Sequence, residues 1–348
     1  MKRTKRMLPL VALVTAASLL AAACGDDKTT TDTGAGVTTP KSDVKVGMAY
    51  DLGGRGDKSF NDAAAVGLDK AEKELGITAK ELEPSKAEDR GANLKLLVDG
   101  KYNPIVGIGF AFEDDIKAVA AANPDTYFAT VDTVVDLPNV RSNVFAEEQG
   151  SFLVGAAAGL KTKSNKVGFI GGVETPLIQK FAAGFVAGVK EANPTATVDV
   201  KYITPAGDFT GFNAPDKGKE IGSSMYDAGA DVIFAAAGGS GVGVFDAAVA
   251  AGDGKWAIGV DSDQYLSATA DQQKHILTSM LKRVDVAVFE TIKAFTTDKK
   301  LSGTTVFDLK ADGVGYATSG GYVDDIVSKL DALKAKVISG EIKVPTTP

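Results

Sequence analysis

The sequence predicts an α/β protein of two lobes, each a doubly wound parallel sheet with helices on both faces. Three observations carry this. Short β-rich runs alternate with helical stretches along the body of the chain, the pattern of parallel strands joined by crossover helices. The alternation then repeats. A shift of 121 residues lays Val46-Gly47 on Val167-Gly168, Phe60 on Phe181, Gly67 on Gly188 and Ala71 on Ala192, and further on the offset drifts to 129, laying Asp132 on Asp261. Finally, about 300 residues follow the N-terminal segment, enough for two domains of ordinary size.

The first 23 residues read as a secretory signal peptide. Lys2, Arg3, Lys5 and Arg6 form a basic start, and residues 7–23 are apolar and small up to Cys24. The apolar run is short for a bilayer and ends in small residues. Cys24 is the only cysteine, so it has no intramolecular disulfide partner. Following Leu20-Ala21-Ala22-Ala23, it resembles a lipobox, with Ala21 where leucine is commoner. Cleavage before Cys24 and a diacylglycerol thioether on its sulfur are expected; the alternative is a secreted protein with a free N-terminal cysteine. Residues 24–42 are mostly Gly, Asp, Thr and Lys. With almost nothing to bury, they read as a flexible tether. Anchor, tether and globular body place the protein at the cell membrane, lipid-anchored on its extracytoplasmic face.

The body opens with the β-rich run Val44-Lys45-Val46-Gly47-Met48-Ala49. Ala64, Leu68, Ala71 and Leu75 then recur on one face of a helix that ends at Gly76. Ile105-Val106-Gly107-Ile108-Gly109 and Tyr127-Phe128-Ala129-Thr130-Val131-Asp132 read as buried strands, and Trp256-Ala257-Ile258-Gly259-Val260 as another that ends at Asp261. Residues 93–100 and 220–229 read as helices closed by glycine. One lobe is expected to comprise residues 43–145 and 264–300, the other residues 146–263 and 301–348.

Composition removes several function classes. The net charge is −7 with both signs interspersed, whereas a nucleic-acid partner favours a basic stripe. A single histidine, His275, and a fold without cysteine remove Ser-His and Cys-His catalysis and most zinc sites. His275 is expected on a surface or strand edge.

In parallel α/β sheets, ligands bind beyond the carboxyl ends of the strands. The residues to read are therefore Tyr50-Asp51 and the loop to Asn61, Phe110-Ala111-Phe112, Asp132-Thr133, the loop from Gly171 to Phe181, Gly238-Gly239-Ser240-Gly241 and Asp261-Ser262-Asp263-Gln264. Two such edges facing each other make a cleft. The glycine runs at Gly53 and Gly238 lack the Gly-Lys-Ser/Thr of a phosphate loop. They read as tight turns or as backbone approaching a neutral ligand. Arg55-Gly56-Asp57 spells an adhesion tripeptide, a short match that arises easily by chance. The aspartates Asp51, Asp57, Asp62, Asp132, Asp261 and Asp263 show no calcium-loop spacing. They read chiefly as acceptors for the N–H and O–H groups of a ligand, with helix capping by Ser59, Asn61 or Asp62 as the plainer role, and a carboxylate-pair hydrolase stays open. Phe60, Phe110, Phe112, Phe181, Phe209 and Phe212 all fall in or beside strand-end loops. Any one alone reads as core; several at a cleft mouth among Asp, Asn and Ser suggest rings that stack on a flat ligand.

Asp51 with Asp57-Lys58-Ser59-Phe60-Asn61 resembles the N-terminal signature of the basic membrane lipoprotein (Bmp) family of transporter substrate-binding proteins. Phe145-Ala146-Glu147-Glu148-Gln149-Gly150-Ser151-Phe152-Leu153-Val154-Gly155, Lys166-Val167-Gly168-Phe169-Ile170-Gly171-Gly172, Phe181-Ala182-Ala183-Gly184-Phe185, Lys217-Gly218-Lys219-Glu220, Gly259-Val260-Asp261-Ser262-Asp263-Gln264 and Thr278-Ser279-Met280-Leu281-Lys282-Arg283 continue the resemblance. It implies a type I periplasmic-binding-protein fold, two lobes joined by three crossings, that hands a purine nucleoside to the permease of an ABC importer. Phe60 matches the first of two phenylalanines that sandwich the base; the second is Phe212, or Phe209 if the alignment slips. Asp51, Asn61 and Asp132 match positions near the base, with Ser59 beside them. Asp261 and Lys282 match positions at the ribose, and the Gly238 loop would lie by the sugar. No catalytic residue, metal or cofactor is implied. Competing readings are a receptor for another solute on the same fold, a nucleoside hydrolase, and adhesion through Arg55-Gly56-Asp57.

Overall fold

The computed structural model describes residues 42–347. The expected signal peptide, the expected lipidation site Cys24 and the expected tether up to residue 41 lie outside the described residues. The first half runs β1 (Lys45–Ala49), α1 (Phe60–Leu75), β2 (Thr78–Leu82), α2 (Asp89–Asp99), β3 (Ile105–Ile108), α3 (Glu113–Ala122), β4 (Phe128–Val131) and β5 (Val140–Phe145). The second runs α4 (Glu147–Lys161), β6 (Lys166–Val173), α5 (Pro176–Ala192), β7 (Thr197–Thr204), α6 (Pro215–Asp227), β8 (Val232–Ala236), α7 (Gly241–Ala251), β9 (Trp256–Asp261), α8 (Ala270–Gln273) and β10 (Ile276–Lys282). The chain closes with α9 (Val284–Asp298), β11 (Gly303–Phe307), β12 (Val314–Tyr316) and α10 (Val327–Ser339).

Two six-stranded sheets result, ordered β11-β5-β4-β3-β1-β2 and β12-β10-β9-β8-β6-β7. The orders correspond strand for strand, as the internal repeat predicts. Every pairing is parallel except β10 with β12. The central strands β3, β4 and β8 are buried throughout and, Thr130 aside, apolar, because helices cover both faces of a parallel sheet. The edge strands β2, β7 and β11 are largely exposed or half-buried. Helix α1 buries Ala64, Leu68 and Ala71 and stops at Gly76, which takes the left-handed φ of 66°, a conformation open to glycine at low cost.

The lobe boundaries need correction. Residues 276–282, expected with the first lobe, form β10 and pair with β9 of the second sheet. Residues 303–307, expected in the second lobe, form β11 and pair with β5 of the first. The chain crosses between sheets at residues 145–147, 282–284 and 307–314. The last strand of each half, β5 or β10, lies one place in from the sheet edge, inside β11 or β12, and the following helix packs on the opposite half: α4 against α5, and α9 against α1. The repeated glycines permit this. A Cβ on Gly67 would lie 2.4 Å from the carbonyl oxygen of Asp285 in α9, and one on Gly188 would lie 1.9 Å from that of Phe152 in α4. Equivalent positions serve the same helix approach in both halves.

Candidate functional site

In doubly wound sheets, the crevice opens where successive crossovers leave in opposite directions. Here that is between β1 and β3 and between β6 and β8. A cavity lies there between the two sheets. From the first half it is lined by Asp51, Asp57, Phe60, Asn61, Phe110 and Asp132, and from the second by Leu177, Phe181, Phe212, Gly238, Asp261 and Lys282, among others.

The β1–α1 loop supplies one wall. The left-handed φ values of Gly53, Gly54 and Gly56 (102°, 55° and 102°) fold it tightly. Its anchor is Asp57. This buried carboxylate accepts from the backbone N–H groups of Ser59 (2.9 Å), Asn61 (2.8 Å) and Asp62 (3.1 Å), so Asp57 caps α1. Asp62 accepts instead from Gly56 and Lys58 in the loop. Arg55 is held by Glu81 and Asp69. With Arg55 paired and Asp57 buried, the Arg55-Gly56-Asp57 tripeptide is not presented as an adhesive loop.

Asp51 sits at the end of the cavity beside a buried arginine, Arg90 of α2, whose Nε donates to it at 2.9 Å. Burial raises the Asp51 pKa, and the Arg90 charge opposes the rise. The Arg90 guanidinium lies 5.2 Å from the Phe209 ring centroid and 5.9 Å from that of Phe112, within cation–π range.

Two aspartates close equivalent strands. Asp132 follows β4 and Asp261 ends β9, and both have left-handed φ values, 73° and 65°. Few residues other than glycine adopt this region, aspartate among them. Between these aspartates lies Lys282, 2 % exposed at its side chain. Its Nζ donates to Asp132 Oδ2 at 2.6 Å and lies 3.4 Å from Glu147 Oε1. Phe60, Phe145 and Phe181 surround the ammonium with ring centroids 5.1, 5.0 and 5.5 Å away. Burial works to lower the Lys282 pKa, but Asp132, Glu147 and Asp261 outweigh it and hold it at about 12. Burial pushes Glu147 up to about 7 against the pull of Lys282. Asp261 is likewise pushed up to about 6 by burial, against Lys282 and the Ser59 hydroxyl.

Of the residues expected at a ligand, Asp51, Phe60, Asn61, Asp132, Phe212, Gly238, Asp261 and Lys282 line the cavity. Ser59 and Phe209 do not. The Ser59 hydroxyl donates to Asp261 Oδ2 at 2.5 Å, bridging the two halves. Phe209 packs behind the wall on Phe110, with centroids 5.7 Å apart, so Phe212 is the ring of that pair that faces the space. Gly238, at φ 56°, approaches Phe212: a Cβ there would lie 3.2 Å from the Phe212 carbonyl oxygen. His275 is half-buried just before β10, with Nδ1 2.9 Å from the Lys255 carbonyl oxygen. Sequence reasoning assigned no role to Arg90 or Glu147. Arg90 lies on a helix away from any strand end, and Glu147 is brought to Lys282 only by the crossing at residues 145–147.

A family model described as ABC transporter substrate-binding protein PnrA-like (Bmp) matches residues 44–348. The CD4+ T-cell-stimulating antigen of Listeria innocua is 40 % identical, over 97 % of this chain and 98 % of that protein. The ABC transporter nucleoside-binding protein BmpA of Lactococcus lactis is 34 % identical, over 98 % and 99 %. Among solved structures, an ABC transporter solute-binding protein from Aeropyrum pernix superposes with a TM-score of 0.75 at 29 % identity, over 87 % of this chain and 93 % of that one.

Proposed function

Since the chain belongs to the Bmp family of PnrA-like ABC transporter substrate-binding proteins, with the type I periplasmic-binding-protein fold, we propose that its ligand is a purine nucleoside. The family consists of solute-binding proteins rather than enzymes, and its members serve an ABC permease. The observation that carries the nucleoside reading is the make-up of one cavity: Phe60 from the first half, Phe212 from the second, and Asp51, Asn61, Asp132, Asp261 and Lys282 around them.

Aromatic walls suit a flat base, and stacking contributes roughly 1–3 kcal/mol per base. Asp51, Asn61 and Asp132 accept from the polar edge of the base. Asp261 and Lys282 bind the ribose hydroxyls by charge-assisted bonds in a dry site, with the Gly238 loop alongside the sugar. Lys282 is the basic side chain among those lining the cavity, and Asp132 and Glu147 already neutralise it. That favours a nucleoside over a nucleotide. A ligand that touches both halves stabilises the closed arrangement over the open one. The Lactococcus relative's printed name points to the same ligand class. We further propose that processing at Cys24 leaves a lipid anchor that holds the receptor on the extracytoplasmic face of the membrane.

The test is calorimetric titration of residues 43–348, unfolded and refolded to strip carried-over ligand. The described residues, 42–347, fall in one compact unit. Adenosine, guanosine, inosine, uridine and ribose are compared. One-to-one binding of the purine nucleosides with no response to ribose supports the reading. No heat from any of the five overturns it.

A further inference from the structure

Two oxygens at the cavity have no hydrogen-bond partner although they are buried: Asn61 Oδ1 and Asp132 Oδ1. Both belong to residues that line the cavity. Buried polar atoms are nearly always paired in folded proteins, so two orphaned acceptors on residues that line one space call for an occupant that brings donors. In each case the other polar atom of the same side chain is already engaged. Asp132 Oδ2 is held by Lys282 Nζ at 2.6 Å. Asn61 Nδ2 donates to Asp57 Oδ2 at 3.1 Å.

The second contact decides which way the Asn61 amide points. Asp57 is 8 % exposed and receives four N–H groups: Ser59 and Asp62 on Oδ1, and the Asn61 backbone and Asn61 Nδ2 on Oδ2. A carboxylate in that setting is acceptor-only. It therefore admits the NH₂ end of the Asn61 amide and rejects the carbonyl end, which leaves Oδ1 as the unpaired end of a side chain that lines the cavity. An asparagine without such a partner can present either end.

We infer that Asp57 is a positioning residue: by locking the Asn61 amide, it makes the cavity read hydrogen-bond donors, selecting nucleosides whose base carries an N–H on its polar edge over those that carry only ring-nitrogen lone pairs. The inference rests on the nucleoside reading and adds the rule by which bases are told apart. A base with an N–H satisfies the orphaned oxygen. A base with a bare ring nitrogen leaves it buried and unpaired, and sites built around polar contacts discriminate strongly against such analogues.

Inosine and purine riboside test this, because they share the ribose and the ring outline while only inosine carries the base N–H. Titration of the refolded protein is expected to give inosine an advantage of about tenfold or more. In Asp57→Asn, the single amide oxygen can still accept from the Ser59 and Asp62 N–H groups, while the NH₂ that replaces Oδ2 accepts nothing and no longer holds the Asn61 amide with its NH₂ end inward. The inosine advantage is expected to shrink to about threefold or less, purine riboside losing less affinity than inosine. Asn61→Ala, which removes the one of the two orphaned oxygens that Asp57 orients, is expected to shrink it equally, so the inference stays testable if Asp57→Asn folds poorly. Equal weakening of both ligands in Asp57→Asn would reduce Asp57 to a helix cap and overturn the inference. So would equal affinities in the unaltered protein, or an advantage that survives Asn61→Ala; an added loss on going from inosine to a 2′-deoxy ligand would then assign the orphaned oxygen to a sugar hydroxyl. Failure of both nucleosides to bind the unaltered protein overturns the nucleoside reading instead.

Discussion

Lys282 Nζ, at the end of the second sheet, donates to Asp132 Oδ2, at the end of the first, across 2.6 Å, and both side chains are almost fully buried. The pair ties the two halves together at the floor of the cavity. Glu147 and Asp261 share the same cation. One buried ammonium thus compensates three carboxylates, so its removal should be costly.

Replacing Lys282 with methionine is expected to destabilise the protein by roughly 3–5 kcal/mol, the usual cost of breaking a buried pair from one side. Urea unfolding monitored by circular dichroism checks this. A loss below about 1 kcal/mol would mean that water reaches the network and screens it.

Stability should fall as pH rises through neutrality. Glu147 titrates at about 7 in the folded chain against 4.5 for the free group, and Asp261 at about 6 against 3.8. Between each pair of values the folded state holds a proton that the unfolded state has released, so the stabilising contribution is complete below the lower value and lost above the higher one. The urea midpoint is therefore expected to be higher near pH 5 than near pH 8, with a slope of at most about 1.4 kcal/mol per pH unit per group. Glu147→Gln should remove much of the fall above about pH 6. An unchanged slope in that variant would assign the dependence elsewhere.

The two neighbouring phenylalanines should differ. Phe212 lines the cavity and Phe209 packs behind it on Phe110 and Arg90. Phe60→Ala and Phe212→Ala are each expected to weaken nucleoside binding by about 1–3 kcal/mol. Phe209→Ala should cost less affinity than either. Calorimetry on the three variants ranks them, and a larger loss at Phe209 than at Phe212 would reverse the assignment of the second stacking ring.

Gly188→Ala should disturb the second half far from any polar contact with ligand. The added Cβ would meet the Phe152 carbonyl oxygen at 1.9 Å, which forces α4 and α5 apart. A loss of about 2 kcal/mol or more in thermal or urea unfolding is expected, since overpacking at a tight contact is not relieved by a side-chain rotation. A smaller loss would show that the two helices slide apart easily.

Much of the site was legible because strand-end residues can be counted from the hydrophobic pattern. Asp51, Phe60, Asp132 and Asp261 each follow or end a run whose periodicity is local. The capping of α1 was harder to read. Ser59, Asn61 and Asp62 stood nearer the helix start, yet Asp57 caps it from further upstream because the glycine turn folds it back.

The sequence by itself determined the alternation of strands and helices, the repeat that aligns β4 with β9, and the strand-end residues that line a cleft. These follow from side-chain periodicity and turn chemistry, which act between near neighbours. Only the tertiary structure decided that β10 and β11 join the sheets opposite to those expected, that Arg90 stands against Asp51, that Glu147 shares Lys282, and that Phe212 rather than Phe209 faces the cavity. Each depends on groups distant in sequence becoming adjacent through sheet order and helix packing, and a local pattern carries no information about which distant strand supplies the neighbour.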